Sequence, residues 1–117
     1  MKFSSLLIAF LVCSFCAAAQ SAKPVLADKP DPSKKIDTLE VACGMCQMEL
    51  KGEDCALAVR VDKKAYYVDG THIDSHGDAH AKDGFCNMIR KAAVQGSLVG
   101  EKYAVTYFKL LPVPAKP

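Results

Sequence analysis

The sequence predicts a single, mainly β domain with one short helix, and three observations carry that prediction. The chain has 117 residues, 50% of them hydrophobic, which is enough for one domain with a core and too few for two. Short runs of alternating apolar and polar residues recur along it, as in half-buried strands. Polar, glycine-containing turns separate these runs. The formal net charge of +2 argues against a nucleic-acid-binding protein, which usually carries a strong basic excess.

Residues 1–19 are predicted to be a secretory signal peptide. Lys2 gives a positive start, residues 6–12 form an apolar run, and small residues ending at Ala19 fit a cleavage site. The run is shorter than the roughly 20 residues that a membrane-spanning helix needs. We therefore expect an exported protein, periplasmic or secreted, that is not an integral membrane protein after cleavage. A retained anchor and a lipid on a signal cysteine are the alternatives.

Three segments are expected after the signal peptide. Residues 20–37 contain three prolines and many charges, which predicts a mostly extended linker. The folded domain is predicted to cover residues 38–112. Residues 113–117 are predicted to form a frayed tail.

The first three predicted strands precede a polar loop. Leu39 begins the first strand, which continues towards Met48. The second strand covers residues 55–61, in which every second side chain is apolar. The third covers residues 65–69, where aromatic and β-branched residues are concentrated. Residues 70–82, with two glycines and three histidines, are predicted to form a loop.

A change of period marks the predicted helix and the last two strands. In residues 84–92 the apolar side chains recur at steps of three and four, with Asp83 as the N-cap. The fourth strand covers residues 94–99, in which Gly96 is expected at a bulge or a close backbone approach. The fifth strand covers residues 103–111. The order β-β-β-α-β-β is that of the OB-fold, so we expect an OB-like five-stranded barrel.

Four cysteines of the domain are its strongest chemical signal. Cys43 and Cys46 form a Cys-x2-Cys pair, and Cys55 and Cys86 follow it. Two thiolates at this spacing can bind one tetrahedral ion if two further ligands complete its shell. Four cysteines in a small exported domain also commonly form two disulfides, here linking Cys43 and Cys46 to the other two in some order. The spacing leaves both interpretations open.

Two histidines of the polar loop are possible further ligands. His76 and His80 are four residues apart, so a helical segment would put them on one face. Zn²⁺ accepts mixed thiolate and imidazole ligands, and Cu(I) favours thiolates with thioethers such as that of Met45. Solvated loop histidines or a pH-sensitive patch are the alternatives. The candidate ligands of a zinc or copper ion are Cys43, Cys46, Cys55, Cys86, His76 and His80.

A thiol-redox protein is the alternative to a non-catalytic binding module. Cys86 is expected at the start of a helix, whose dipole would lower the thiol pKa. A reactive cysteine near a histidine is the elementary pair of thiol catalysis. Cys43 and Cys46 are the second candidate pair for this chemistry. The sequence contains no readable oxyanion hole or substrate pocket, so it does not predict an enzyme, and it identifies no partner.

Five short motifs resemble a family of small exported bacterial proteins of unknown function. They lie at residues 42–47 (ACGMCQ), 57–62 (LAVRVD), 68–71 (VDGT), 76–81 (HGDAHA) and 83–87 (DGFCN). The resemblance extends over nearly all of residues 39–112. It implies that the four domain cysteines, His76 and His80 belong to the family pattern, whereas His72 is not clearly part of it. It implies no activity.

Overall fold

The computed structural model describes residues 25–114. The predicted signal peptide at 1–19, the first part of the predicted linker at 20–24 and the tail residues 115–117 lie outside the described residues. Within 25–114, no helix is long and apolar enough to cross a membrane.

Five strands close into a barrel. They are β1 (Asp37–Cys43), β2 (Leu57–Val61), β3 (Lys64–Asp69), β4 (Arg90–Val99) and β5 (Lys102–Leu110). Their order around the barrel is β1-β2-β3-β5-β4. The β3–β5 pair is parallel and the other four pairs are antiparallel. This arrangement confirms the predicted mainly β, OB-like fold class, a closed barrel of five strands.

The helix lies at a different place from the one predicted. Helix α1 (Gly44–Gln47) follows β1, whereas the segment predicted to be helical, 84–92, is not a helix. A single turn forms there, with the Met88 N–H donating to the Gly84 carbonyl at 3.1 Å. From Arg90 onwards the chain pairs with β1 and closes the barrel. This pairing overrides the helical spacing of the apolar residues, because tertiary contacts outweigh local propensity.

The barrel interior is the main hydrophobic core. Its largest fully buried apolar side chains are Val41, Val59, Val94 and Val105. Phe85 and Ile73, from the long connection between β3 and β4, pack against the same core. That connection therefore covers one opening of the barrel rather than extending into solvent.

A bulge between β4 and β5 changes the expected alternation of faces. The register shifts between Gln95 and Gly96, so Val105 and Phe108 are both buried although they are three residues apart. In a regular strand, residues three positions apart point to opposite faces. A Cβ at Gly96 would overlap the carbonyl oxygen of Ala104, which confirms the expected close backbone approach.

The segment expected to be a linker is held against the barrel from Ala27 onwards. The Ala27 N–H donates to the Thr106 carbonyl at 2.7 Å. The Gln95 side chain, only 2% exposed, accepts from the Asp31 N–H and donates to the carbonyls of Asp31 and Lys34, at 2.8–3.0 Å. One buried amide thus fastens this strap, residues 27–34, to β4.

Candidate metal centre

Four cysteine sulfurs converge where β1 ends. The Sγ atoms of Cys43, Cys46, Cys55 and Cys86 all lie within 4.8 Å of one another. The Cys46–Cys55 separation is 3.9 Å and the Cys55–Cys86 separation is 3.8 Å. All four residues are free thiols, and these separations are well beyond the ~2.05 Å of a disulfide bond.

Each cysteine reaches the cluster from a different part of the chain. Cys43 is the last residue of β1, and Cys46 lies in α1. Cys55 stands two residues before β2, and Cys86 comes from the long β3–β4 connection. The Cys43 N–H donates to the Phe85 carbonyl at 2.9 Å, which fixes that connection beside the end of β1. The barrel therefore assembles ligands that are up to 43 positions apart in the sequence.

A glycine lets α1 turn tightly under the cluster. A Cβ at Gly44 would lie 2.7 Å from Cε1 of Tyr67 and 3.0 Å from Cδ1 of Leu50, closer than carbon atoms normally approach. The Tyr67 hydroxyl donates to the Lys51 carbonyl at 2.9 Å. The Tyr67 side chain thus packs against α1 and also holds the loop that leads to Cys55.

Two amide side chains hold the segment around Cys86. Gln47 Nε2 donates to the Cys86 carbonyl at 2.9 Å, and Asn87 Nδ2 donates to the Ala81 carbonyl at 2.7 Å. The Cys86 N–H donates to the Ala79 carbonyl at 3.0 Å. Sequence reasoning missed both amides. The available signal was that each directly follows a cysteine in the sequence.

The surroundings shift the pKa values of three of the thiols, those of Cys43, Cys46 and Cys86. Burial raises the pKa of the Cys43 thiol, but hydrogen bonds from the Cys46 and Met45 backbone and from neighbouring thiols bring it below its ordinary value. The Cys43 sulfur beside Cys46, together with burial, raises the pKa of Cys46 to about 11. Burial, and then a hydrogen bond with Cys55, raises the pKa of Cys86 to about 12. Without a cation, the surroundings therefore favour a thiolate at Cys43 and oppose one at Cys46 and at Cys86.

The site opens to solvent on one side only. Cys43 is fully buried and Cys86 is half-buried, whereas Cys46 and Cys55 are exposed. Cys43 and Cys86, the two less exposed cysteines, form the inner pair of the cluster, and Cys46 and Cys55 form its solvent-facing outer pair.

The structure does not bring the two candidate histidines to the cysteines. His76 Nε2 lies 2.8 Å from the Thr71 hydroxyl oxygen, and its ring centre is 4.2 Å from that of Phe108. Burial lowers the pKa of His76. His80 is exposed, and its N–H donates to an Asp78 carboxylate oxygen at 2.9 Å. Among residues 25–114, the group whose ligand atoms converge consists of the four cysteines alone.

Two local expectations about the cysteines were wrong. The first strand ends at Cys43 instead of continuing towards Met48, and Cys46 lies in the helical turn that follows it. Cys86 does not begin a helix, so no helix dipole lowers its pKa, and burial raises that pKa instead.

The fold and the site together define a class: a small closed five-stranded barrel that carries a cluster of four cysteines. The chain belongs to the Family of unknown function (DUF6370), whose model matches residues 37–111. This membership confirms the resemblance to a small family without an assigned function. No curated protein and no solved structure matched the chain.

Proposed function

We propose that this protein is an exported, non-catalytic module that binds one zinc ion. The predicted signal peptide at residues 1–19 supports the export. The ligands are the sulfur atoms of Cys43, Cys46, Cys55 and Cys86.

The sulfur separations carry the proposal. A tetrahedral ion with Zn–S bonds of ~2.3 Å sets its sulfurs about 3.8 Å apart. The two measured separations are 3.9 and 3.8 Å, and every other pair in the cluster lies within 4.8 Å. Small side-chain rotations are thus enough to form the complete tetrahedron.

Zinc fits this donor set better than copper. Four thiolates at tetrahedral positions are typical of zinc and of iron–sulfur centres. Cu(I) is the second candidate, because it too prefers thiolates. Metal binding also favours deprotonation of its thiol ligands, which burial and the neighbouring thiols oppose at Cys46 and Cys86 in the free protein.

A thiol-redox function has weaker support than metal binding. Cys43 has a lowered pKa but is fully buried, so its sulfur is shielded from an external disulfide. Cys46 is exposed, but its pKa is raised to about 11, which leaves little thiolate at neutral pH. A thiol nucleophile needs both solvent exposure and a lowered pKa, and neither Cys43 nor Cys46 has both.

Metal content of the purified protein tests the proposal. Protein isolated with reductant and without chelator should contain one zinc per chain, and Cys43→Ser and Cys55→Ser should each lower that content. His80→Ala is the matched control, because His80 is exposed and outside the cluster, and it should keep one zinc. Circular dichroism reports whether each variant has folded.

Two results would contradict zinc binding. Four free thiols without metal, in folded protein, would show that the cluster does not hold an ion. Two disulfides and no metal, in exported protein isolated without reductant, would identify a disulfide-stapled domain instead.

A further inference from the structure

The two outer sulfurs of the cluster are the ones that a soluble oxidant reaches first. Cys46 and Cys55 are exposed, whereas Cys43 is 0% exposed and Cys86 is half-buried. The Cys46 and Cys55 sulfurs are 3.9 Å apart. To form a disulfide of ~2.05 Å they must approach each other by about 1.9 Å.

The backbone around the inner pair is firmly held. The Cys43 N–H bonds to the Phe85 carbonyl at 2.9 Å, and the Cys86 N–H bonds to the Ala79 carbonyl at 3.0 Å. Gln47 bonds to the Cys86 carbonyl at 2.9 Å. These contacts hold the backbone of Cys43 and Cys86 in place.

The third cysteine lies in a loop that is anchored on either side of it. Tyr67 holds the Lys51 carbonyl, and the Gly44 N–H holds the Ala56 carbonyl at 2.9 Å. Cys55 is between these anchors, outside any strand or helix. Its side chain can therefore turn towards Cys46 while both ends of the loop stay fixed.

From this arrangement we propose that the zinc site is redox-regulated: a peroxide converts Cys46 and Cys55 into a disulfide, and the ion is released. The inference rests on the proposed function, because it concerns the ion bound there. Each of the two thiolates gives up one electron and a single S–S bond forms. The O–O bond of the peroxide breaks, and with two protons from solvent hydrogen peroxide becomes two water molecules.

Loss of the outer pair leaves only the inner pair as ligands. Cys43 and Cys86 then supply two thiolates, whereas a structural zinc site uses four ligands. Reduction of the disulfide by a dithiol restores all four sulfurs. The same cysteines thus serve a zinc-bound reduced form and a metal-free oxidised form.

Peroxide titration of the zinc-loaded protein tests this inference. A chromogenic chelator records released zinc, and peptide mapping without reductant identifies the first disulfide. One equivalent of hydrogen peroxide should release close to one zinc per chain and link Cys46 to Cys55, and dithiothreitol should restore zinc binding. Met45→Leu is the matched control, because Met45 is the exposed oxidisable neighbour, at 38% exposure, and its removal should leave release unchanged.

The outcomes separate this inference from the proposed function. A chain that takes up no zinc before peroxide is added overturns the proposed function and this inference with it. A zinc-loaded chain that keeps its ion under peroxide overturns this inference alone. Zinc release that the Met45→Leu substitution abolishes also overturns this inference alone. A first disulfide that joins Cys55 to Cys86, instead of Cys46 to Cys55, does the same.

Discussion

Replacing Gly44 with alanine tests the packing that positions α1 under the cysteine cluster. The added Cβ would lie 2.7 Å from Cε1 of Tyr67, 3.0 Å from Cδ1 of Leu50 and 3.2 Å from Cβ of Ala58. Favourable carbon–carbon contacts are about 3.5–4.0 Å. The Tyr67 ring must therefore move by up to about 1 Å, which strains its hydrogen bond to the loop before Cys55.

Two opposing effects set the size of the change in stability. Overpacking a well-packed site typically costs about 1–3 kcal/mol. Alanine also lowers the conformational entropy of the unfolded chain, which stabilises the fold by about 0.4–1 kcal/mol. The clash is the larger effect, because the Tyr67 hydroxyl is tied to Lys51 and its ring is not free to swing away. We expect the free energy of unfolding to fall by about 1–2 kcal/mol.

Urea denaturation of the reduced, metal-free protein measures this change. Gly44→Ala should lower the denaturation midpoint and leave the slope unchanged, as a pure loss of stability does. The double variant Gly44→Ala with Tyr67→Leu should lose less than the sum of the single losses, because the smaller side chain relieves the clash. A Gly44→Ala protein as stable as the parent, or strictly additive losses, would refute the reasoning.

Two further predictions concern the strap and the half-buried His76. Gln95→Ala removes three hydrogen bonds to residues 31–34. It should lower the free energy of unfolding, measured by urea denaturation, by about 2–3 kcal/mol. An unchanged denaturation midpoint would show that the Gln95 amide does not fasten the strap. Burial lowers the pKa of His76, so the unfolded chain binds a proton more readily than the folded one. Stability of the metal-free protein should therefore fall as the pH falls below about 6.5, and His76→Gln should flatten that dependence. Equal pH slopes for the two proteins would contradict this role of His76.

The strands could be predicted because their signals are local. Residues 57–61 and 64–69 alternate or concentrate β-forming side chains, and both form strands close to the predicted bounds. The helix predicted for residues 84–92 does not form, because its local signal is overridden by a distant strand pairing. Its apolar spacing is helical, but the strand that closes the barrel begins at Arg90. Barrel closure depends on a partner some 50 positions away, which periodicity does not encode.

The candidate site was predictable in composition but not in arrangement. The cysteine spacing indicated a shared role for all four thiols, and the structure brings them together. Spacing alone does not give sulfur separations, so both metal binding and disulfides stayed compatible with the sequence. His76 and His80 were predicted as ligands because their spacing would put them on one face of a helix. The loop does not form that helix, and His76 packs against Phe108 instead. Tyr67 acts through the Lys51 backbone carbonyl, and a contact of that kind leaves no pattern in a sequence.

X-ray absorption of the purified, reduced protein at the zinc edge tests the central claim most directly. It reports the identity, number and distance of the atoms bound to the ion. Four sulfur neighbours at about 2.3 Å, with no nitrogen from an imidazole, are the predicted result. A shell that contains nitrogen, fewer than four sulfurs, or no bound zinc would contradict the assignment of Cys43, Cys46, Cys55 and Cys86 as its ligands.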